Sequence, residues 1–162
     1  MDTNTALSQA ETLLQPFSGG FTRAEDNRLD IVVEPGKLKQ AVSALFKAHW
    51  GYLGAITGLD VVPPANPDGT PGAGAHFEVL YTFFEGAAVA NMRVSLSYDK
   101  PVLPTICDII PSATLYEREL MELFGVTIDG TPSLDRLILS DDWPEGVYPL
   151  RKSFTGLDSQ QA

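Results

Sequence analysis

The sequence predicts an α/β fold of the α+β type, built in two layers. One mixed sheet of about five strands is covered by two helices, and an extended, irregular C-terminal tail follows. Three observations predict this. Apolar residues recur at three- and four-residue spacing in 5–15 and 37–49, the helix period. They alternate in 29–33, 76–85 and 87–98, the strand period. From about Asp129 neither period holds, although large side chains continue. The chain has 162 residues, enough for a single packed core, and its 44% apolar and 20% charged residues are an ordinary globular mixture. The division expected is an α/β domain over 1–128 and a partner-binding tail over 129–162.

In chain order, Ala6, Leu7, Ala10, Leu13 and Leu14 make the buried stripe of the first helix, which Gln15-Pro16 and Ser18-Gly19-Gly20 terminate. The polar stretch 22–28 reads as a loop. Leu29, Ile31 and Val33 alternate with Asp30, Val32 and Glu34 as a strand. Pro35-Gly36 turns the chain into a second helix, with Leu38, Ala41, Val42, Leu45 and Phe46 facing inward. A strand from Tyr52 to Val62 carries Gly54 and Gly58, which weaken it or mark a bulge. The Pro/Gly/Ala-rich stretch 63–75 reads as a mobile hairpin loop. It has no Lys-Ser/Thr to follow its glycines, so it is no phosphate cradle. His76–Glu85 and Ala87–Tyr98 are the two longest strands, joined at Glu85-Gly86. Ile106–Ile110 reads as a short extended piece, and Val126 with Ile128 as a last edge strand.

Between them lies a short helix ending at Phe124. Ser112 can cap its start, and Gly125 can take the left-handed conformation that closes it. At about 100° per residue, Tyr116, Leu120, Leu123 and Phe124 share one arc, and Arg118, Glu119 and Glu122 the opposite one. Glu117 falls at the edge of the apolar arc, where an unpaired carboxylate is costly. Arg136 or Arg151 is expected to compensate it, internally or across an interface. Taken alone, such a charged triplet is most simply a solvated helix face.

A net charge of −10 argues against nucleic acid or an anionic lipid surface as partner, since both need a basic face. The single cysteine, Cys107, permits no internal disulfide and reads as a small buried hydrophobe. His49 and His76 stand in separate elements with no metal-ligand spacing. No nucleophile–base pair, dinucleotide fingerprint or iron–sulfur spacing is present, so no catalytic, cofactor-binding or metal residues are assigned. The N-terminus lacks the basic start and apolar run of a signal peptide, and no segment offers the ~20 apolar residues of a membrane span.

The run Glu117-Arg118-Glu119-x-x-Glu122-Leu123-Phe124-Gly125 resembles the signature of the 30-kDa subunit of proton-pumping NADH–quinone oxidoreductase (respiratory complex I). Related subunits of membrane-bound NiFe hydrogenase and formate hydrogenlyase complexes carry it too. The likeness continues through Gly130-x-Pro132, Leu134-x-Arg136-Leu137, Asp141-Asp142-Trp143-Pro144-Glu145-Gly146 and Pro149-Leu150-Arg151-Lys152-x-Phe154. Tyr116 replaces the family's usual tryptophan, Thr131 its histidine, and Asp135 one of its arginines, changes that look similar to the hydrogenase-linked branch. The resemblance implies a non-catalytic subunit of the hydrophilic arm, peripheral on the cytoplasmic side of the cell membrane. It would support a hydrogenase-like large subunit and neighbouring iron–sulfur subunits during electron transfer to quinone, or in an energy-converting hydrogenase. Iron–sulfur clusters and NADH, quinone or NiFe chemistry are then expected in those partners. Carried onto this chain, the partner-binding residues are Glu117, Arg118, Glu119, Glu122, Arg136, Asp142, Trp143, Arg151 and Lys152. The rival reading is a free-standing small-molecule binding protein.

Overall fold

The computed structural model describes residues 2–64, 66 and 74–157. Stretch 63–75, expected to be a mobile loop, falls largely outside them. Helix α1 (Thr3–Leu14) starts at Asp2, whose carboxylate accepts the N–H groups of Asn4 and Thr5 at 3.0 and 3.2 Å. Strands β1 (Ser18–Glu25) and β2 (Arg28–Val33) follow, then α2 (Leu38–Lys47), β3 (Tyr52–Val61), β4 (His76–Glu85) and β5 (Ala88–Leu96). The chain closes with β6 (Val102–Pro104), α3 (Ala113–Phe124) and β7 (Thr127–Asp129).

The sheet has five strands in the order β1-β2-β5-β4-β3, with β2 and β5 parallel and the other pairs antiparallel. Its inner face is set by alternation. Leu29 and Ile31 of β2 pair with Ala90 and Met92 of β5, and these pair in turn with Phe83 and Tyr81 of β4. Val94 and Leu96 continue the row against Val79 and Phe77. All of these are buried. Not two but three helices cover that face, because α3 packs over β3. Gly58 makes this possible: a Cβ there would stand 2.6 Å from the Phe124 ring and 2.9 Å from Leu120. The opposite face carries a polar seam in which Asp30 accepts from Asn91 and Arg93, each at 3.0 Å, and Arg93 also pairs with Glu78.

Four expectations need correction. Residues 18–25 form the edge strand β1, part of which the sequence reads as loop. Its mostly exposed side chains show no apolar alternation, so backbone bonds to β2 chiefly hold it, with Phe21 packed against the core and Arg23 paired with Glu11 at 3.6 Å. The Val126–Ile128 region is not the fifth strand; β7 pairs in parallel with β6, apart from the main sheet. Residues 106–110 are a turn, with Ile109 and Ile110 N–H both on the Ile106 carbonyl at 2.9 Å. Phe46, expected in the buried stripe of α2, is 54% exposed, while Leu38, Ala41, Val42 and Leu45 are buried as expected.

Candidate partner-docking site

The signature residues sit on α3 and on the irregular segment after β7. Ser112 makes no side-chain cap on α3, but Gly125 closes the helix in the left-handed conformation, at φ 69°. The buried stripe of α3 is Ala113, Glu117, Leu120 and Phe124, spaced by four, three and four. Glu117 is therefore at the centre of the stripe rather than at its edge, and it is fully buried.

Its partners are not the expected arginines. Glu117 Oε1 accepts the Ile106 N–H at 2.8 Å, and Oε2 accepts the Thr105 hydroxyl at 2.8 Å and the Cys107 thiol at 3.1 Å. Thr105 Oγ1 in turn accepts the Cys107 N–H at 3.1 Å. The carboxylate points inward at the turn after β6, whereas Arg151 bonds the Phe124 carbonyl at the end of α3 and Arg136 bonds carbonyls within the tail. With the Ile106 N–H on Glu117 and the Cys107 N–H on Thr105, the start of 106–110 has no donors left for a strand ladder. Cys107 is half-buried, not a silent core residue. Burial pushes its thiol pKa up; the Thr105 hydroxyl opposes that, and Glu117 reinforces it. Tyr81 is buried nearby, its hydroxyl without a hydrogen-bond partner among the described residues, and its pKa is raised by burial first and by Glu117 and Cys107 next.

The outward charges of α3 hold the tail. Arg118 donates to the Asp135 and Arg136 carbonyls at 2.8 and 2.6 Å. Glu122 accepts three consecutive N–H groups: Leu137, then Ile138 and Leu139 at 2.9 and 3.0 Å. Desolvation works to raise the Glu122 pKa, but those N–H groups, with Arg118, hold it below its ordinary value. Glu119 is half-buried on the same helix and joins neither set.

Within the tail, Arg136 donates to the carbonyls of Ser140 and Trp143, the latter at 2.8 Å. Trp143 Nε1 donates to the Val147 carbonyl at 2.9 Å, and its ring lies 6.1 Å from that of Phe154. Exposed Asp142 has its pKa lowered by the Ser140 hydroxyl, with Arg136 adding. Arg151 closes the arrangement. Its Nε caps α3 through the Phe124 carbonyl at 2.7 Å, and its guanidinium lies over the rings of Tyr148 and Phe77. The Lys152 N–H reaches Asp60 at 2.7 Å, and Asp60 also takes the Tyr98 hydroxyl.

The structure thus brings Arg118, Glu122, Arg136, Trp143 and Arg151 together and sets Glu117 apart. Sequence reasoning misses Thr105, Asp60, Tyr98 and Tyr148. Thr105 and Cys107 are legible only as short donors beside an apolar run, and nothing local links Asp60 to residue 152. Facing outward from the tail are Leu134, Ile138 and Leu150, at 80%, 52% and 52% exposure. A cavity of about 270 Å³ lies between α3 and the tail, lined among others by Met121, Leu139, Trp143 and Tyr148.

The family model described as respiratory-chain NADH dehydrogenase, 30 Kd subunit, matches residues 31–160. Membrane-bound hydrogenase subunit beta of Pyrococcus furiosus is 47% identical over 62 residues, 38% of this chain and 36% of that protein. The NADH-quinone oxidoreductase C/D subunit of Serratia proteamaculans is 35% identical over 126 residues, 75% of this chain and 20% of that protein. The chain spans about a fifth to a third of the length of these curated relatives. Among solved structures, a chain of the membrane-bound sulfane sulfur reductase, an archaeal respiratory membrane complex, superposes with a TM-score of 0.76 at 23% identity, covering 97% of this chain and 89% of that one. The family match takes in most of the chain, and this protein belongs to the 30-kDa subunit family of the respiratory-chain NADH dehydrogenase.

Proposed function

We propose that this chain is a non-catalytic, peripheral subunit of a membrane-associated electron-transfer complex of the NADH–quinone oxidoreductase type. Its work is positional: it buttresses a hydrogenase-like large subunit, beside iron–sulfur subunits, on the cytoplasmic side of the membrane. Clusters, nucleotide and quinone or nickel–iron chemistry belong to those partners. One observation carries the reading. The charged side chains of the signature helix grip the chain's own C-terminal segment, and that segment turns aliphatic side chains to the outside. No helix among the described residues is long and apolar enough to cross a membrane, so contact with one is assigned to other subunits.

A second reading, the equivalent subunit of an energy-converting hydrogenase, is favoured by the identity to hydrogenase subunit beta. The small-molecule rival is supported less well. The cavity beside α3, about 270 Å³, falls just below the ~300–1,000 Å³ usual for ligand sites, and the Arg118 and Glu122 groups on its wall already bond backbone. Hollows of about 570, 600 and 510 Å³ lie beside α2, β1 and α1, away from the signature residues. Native isolation of the tagged chain with mass identification of what accompanies it tests the proposal. A large subunit with nickel-binding cysteines assigns the hydrogenase, and one without them the quinone enzyme. A chain isolated without any large subunit contradicts both.

A further inference from the structure

Leu134 and Ile138 are side chains that water disfavours, yet their backbone is not free to turn them inward. Arg118 holds the carbonyls of 135 and 136, and Glu122 holds the N–H groups of 137–139. Further on, Leu150 N–H is fixed on the Leu123 carbonyl at 3.1 Å, next to the Arg151 cap. The segment is built with its aliphatic groups outside, before anything covers them. Its outward charge is one-sided. Asp135, Asp141, Asp142 and Glu145 are exposed, while Arg136 and Arg151 direct their guanidinium groups to the chain's own carbonyls. Lys152 is the one exposed cation among described residues 129–157.

We propose that the tail is a prebuilt plug. Leu134, Ile138 and Leu150 enter an apolar groove on the partner, and lysine or arginine side chains rim that groove to meet the acidic flank. Arg118, Glu122 and Arg151 are positioning residues that shape the plug and do not touch the partner. The inference rests on the proposed scaffold role and names the chemistry of the surface that receives it. The signature charges thereby act one step removed from the interface. Preorganisation of this kind strengthens binding by removing the ordering cost from the docking step.

The test uses the full-length tagged chain, replacing the native copy in its own cells, with recovery of the large subunit measured by mass spectrometry. Leu134→Ser with Ile138→Ser lowers recovery about tenfold or more, the size of effect expected at a buried interface anchor. The same double variant leaves amide exchange at 137–139 of the free chain unchanged. Glu122→Gln does the opposite in the free chain, speeding exchange at 137–139, and lowers recovery only through that loosening. Asp141→Lys with Asp142→Lys lowers recovery, and the parent complex loosens with added salt. Phe46→Ser, at an exposed phenylalanine of α2 and so outside both α3 and the tail, leaves recovery unchanged. If the Leu134/Ile138 variant recovers as much large subunit as the parent, the plug is overturned while the scaffold role stands. If the charge reversal changes nothing, the basic rim is overturned. A parent chain that recovers no large subunit removes the scaffold role itself. A chain that instead pairs with itself through Leu134 and Ile138 overturns the proposal in favour of a homodimer.

Discussion

Glu117 shows how an acid is kept inside a core without a cation. Three donors, all from residues 105–107, converge on its two oxygens, and none belongs to a charged side chain. Buried donors left without an acceptor are expensive. Glu117→Gln puts an amide N–H group among donors and is expected to cost about 1–3 kcal/mol, read by urea denaturation. A change within the ~0.5 kcal/mol typical of a surface site would contradict this assignment. Glu122 behaves differently because it sits nearer the surface. Its folded-state pKa is depressed, so its contribution is present above the ordinary carboxylate value and is lost as pH falls through the folded one. Amide exchange at Leu137, Ile138 and Leu139 should therefore accelerate, beyond the intrinsic pH trend, as pH drops below about 4. In Glu122→Gln that acid step should be absent.

The elements legible in the sequence are those whose side chains report their surroundings. Strands β2, β4 and β5 alternate because one face is core, and α1 and α2 repeat every three to four residues for the same reason. Strand β1 is hidden, since an edge strand with mostly exposed side chains has no such pattern, and β6 is three residues long. On α3 the period is legible but its phase is not. Counting Tyr116 and Leu123 into the apolar arc shifts its centre and leaves Glu117 at the edge, although the stripe through Ala113, Leu120 and Phe124 passes over it. The end of α3 is legible at Gly125, for a reason only partly visible in the sequence. Besides its positive φ, a Cβ there would stand 2.4 Å from Tyr148 and 2.6 Å from Arg151. Gly125→Ala should cost at least the ~1–2 kcal/mol of a left-handed non-glycine residue. It should also release the Tyr148–Arg151 contact, seen as faster exchange at Leu150 and Arg151. Unchanged exchange there would separate the cap from the tail.

At the scale of the molecule, the sheet and its three helices form a platform, and the tail is a second structure laid along α3. The family resemblance points to the charged residues as partner contacts. Arg118, Glu122, Arg136 and Arg151 bond the chain's own backbone, an outcome spacing cannot reveal because the bonds of 118 and 122, for example, reach backbone of 135–139. What the described tail turns outward is mainly aliphatic and acidic, with Lys152 its one exposed cation. Oxidative footprinting of the tail, in the free chain and in the isolated complex, tests this division most directly. Leu134, Ile138 and Leu150 should be oxidised readily in the free chain and shielded in the complex, while amides 137–139 are protected in both. Equal oxidation of the three side chains in both states, or amides 137–139 unprotected until the partner binds, would contradict a tail that is shaped before it docks.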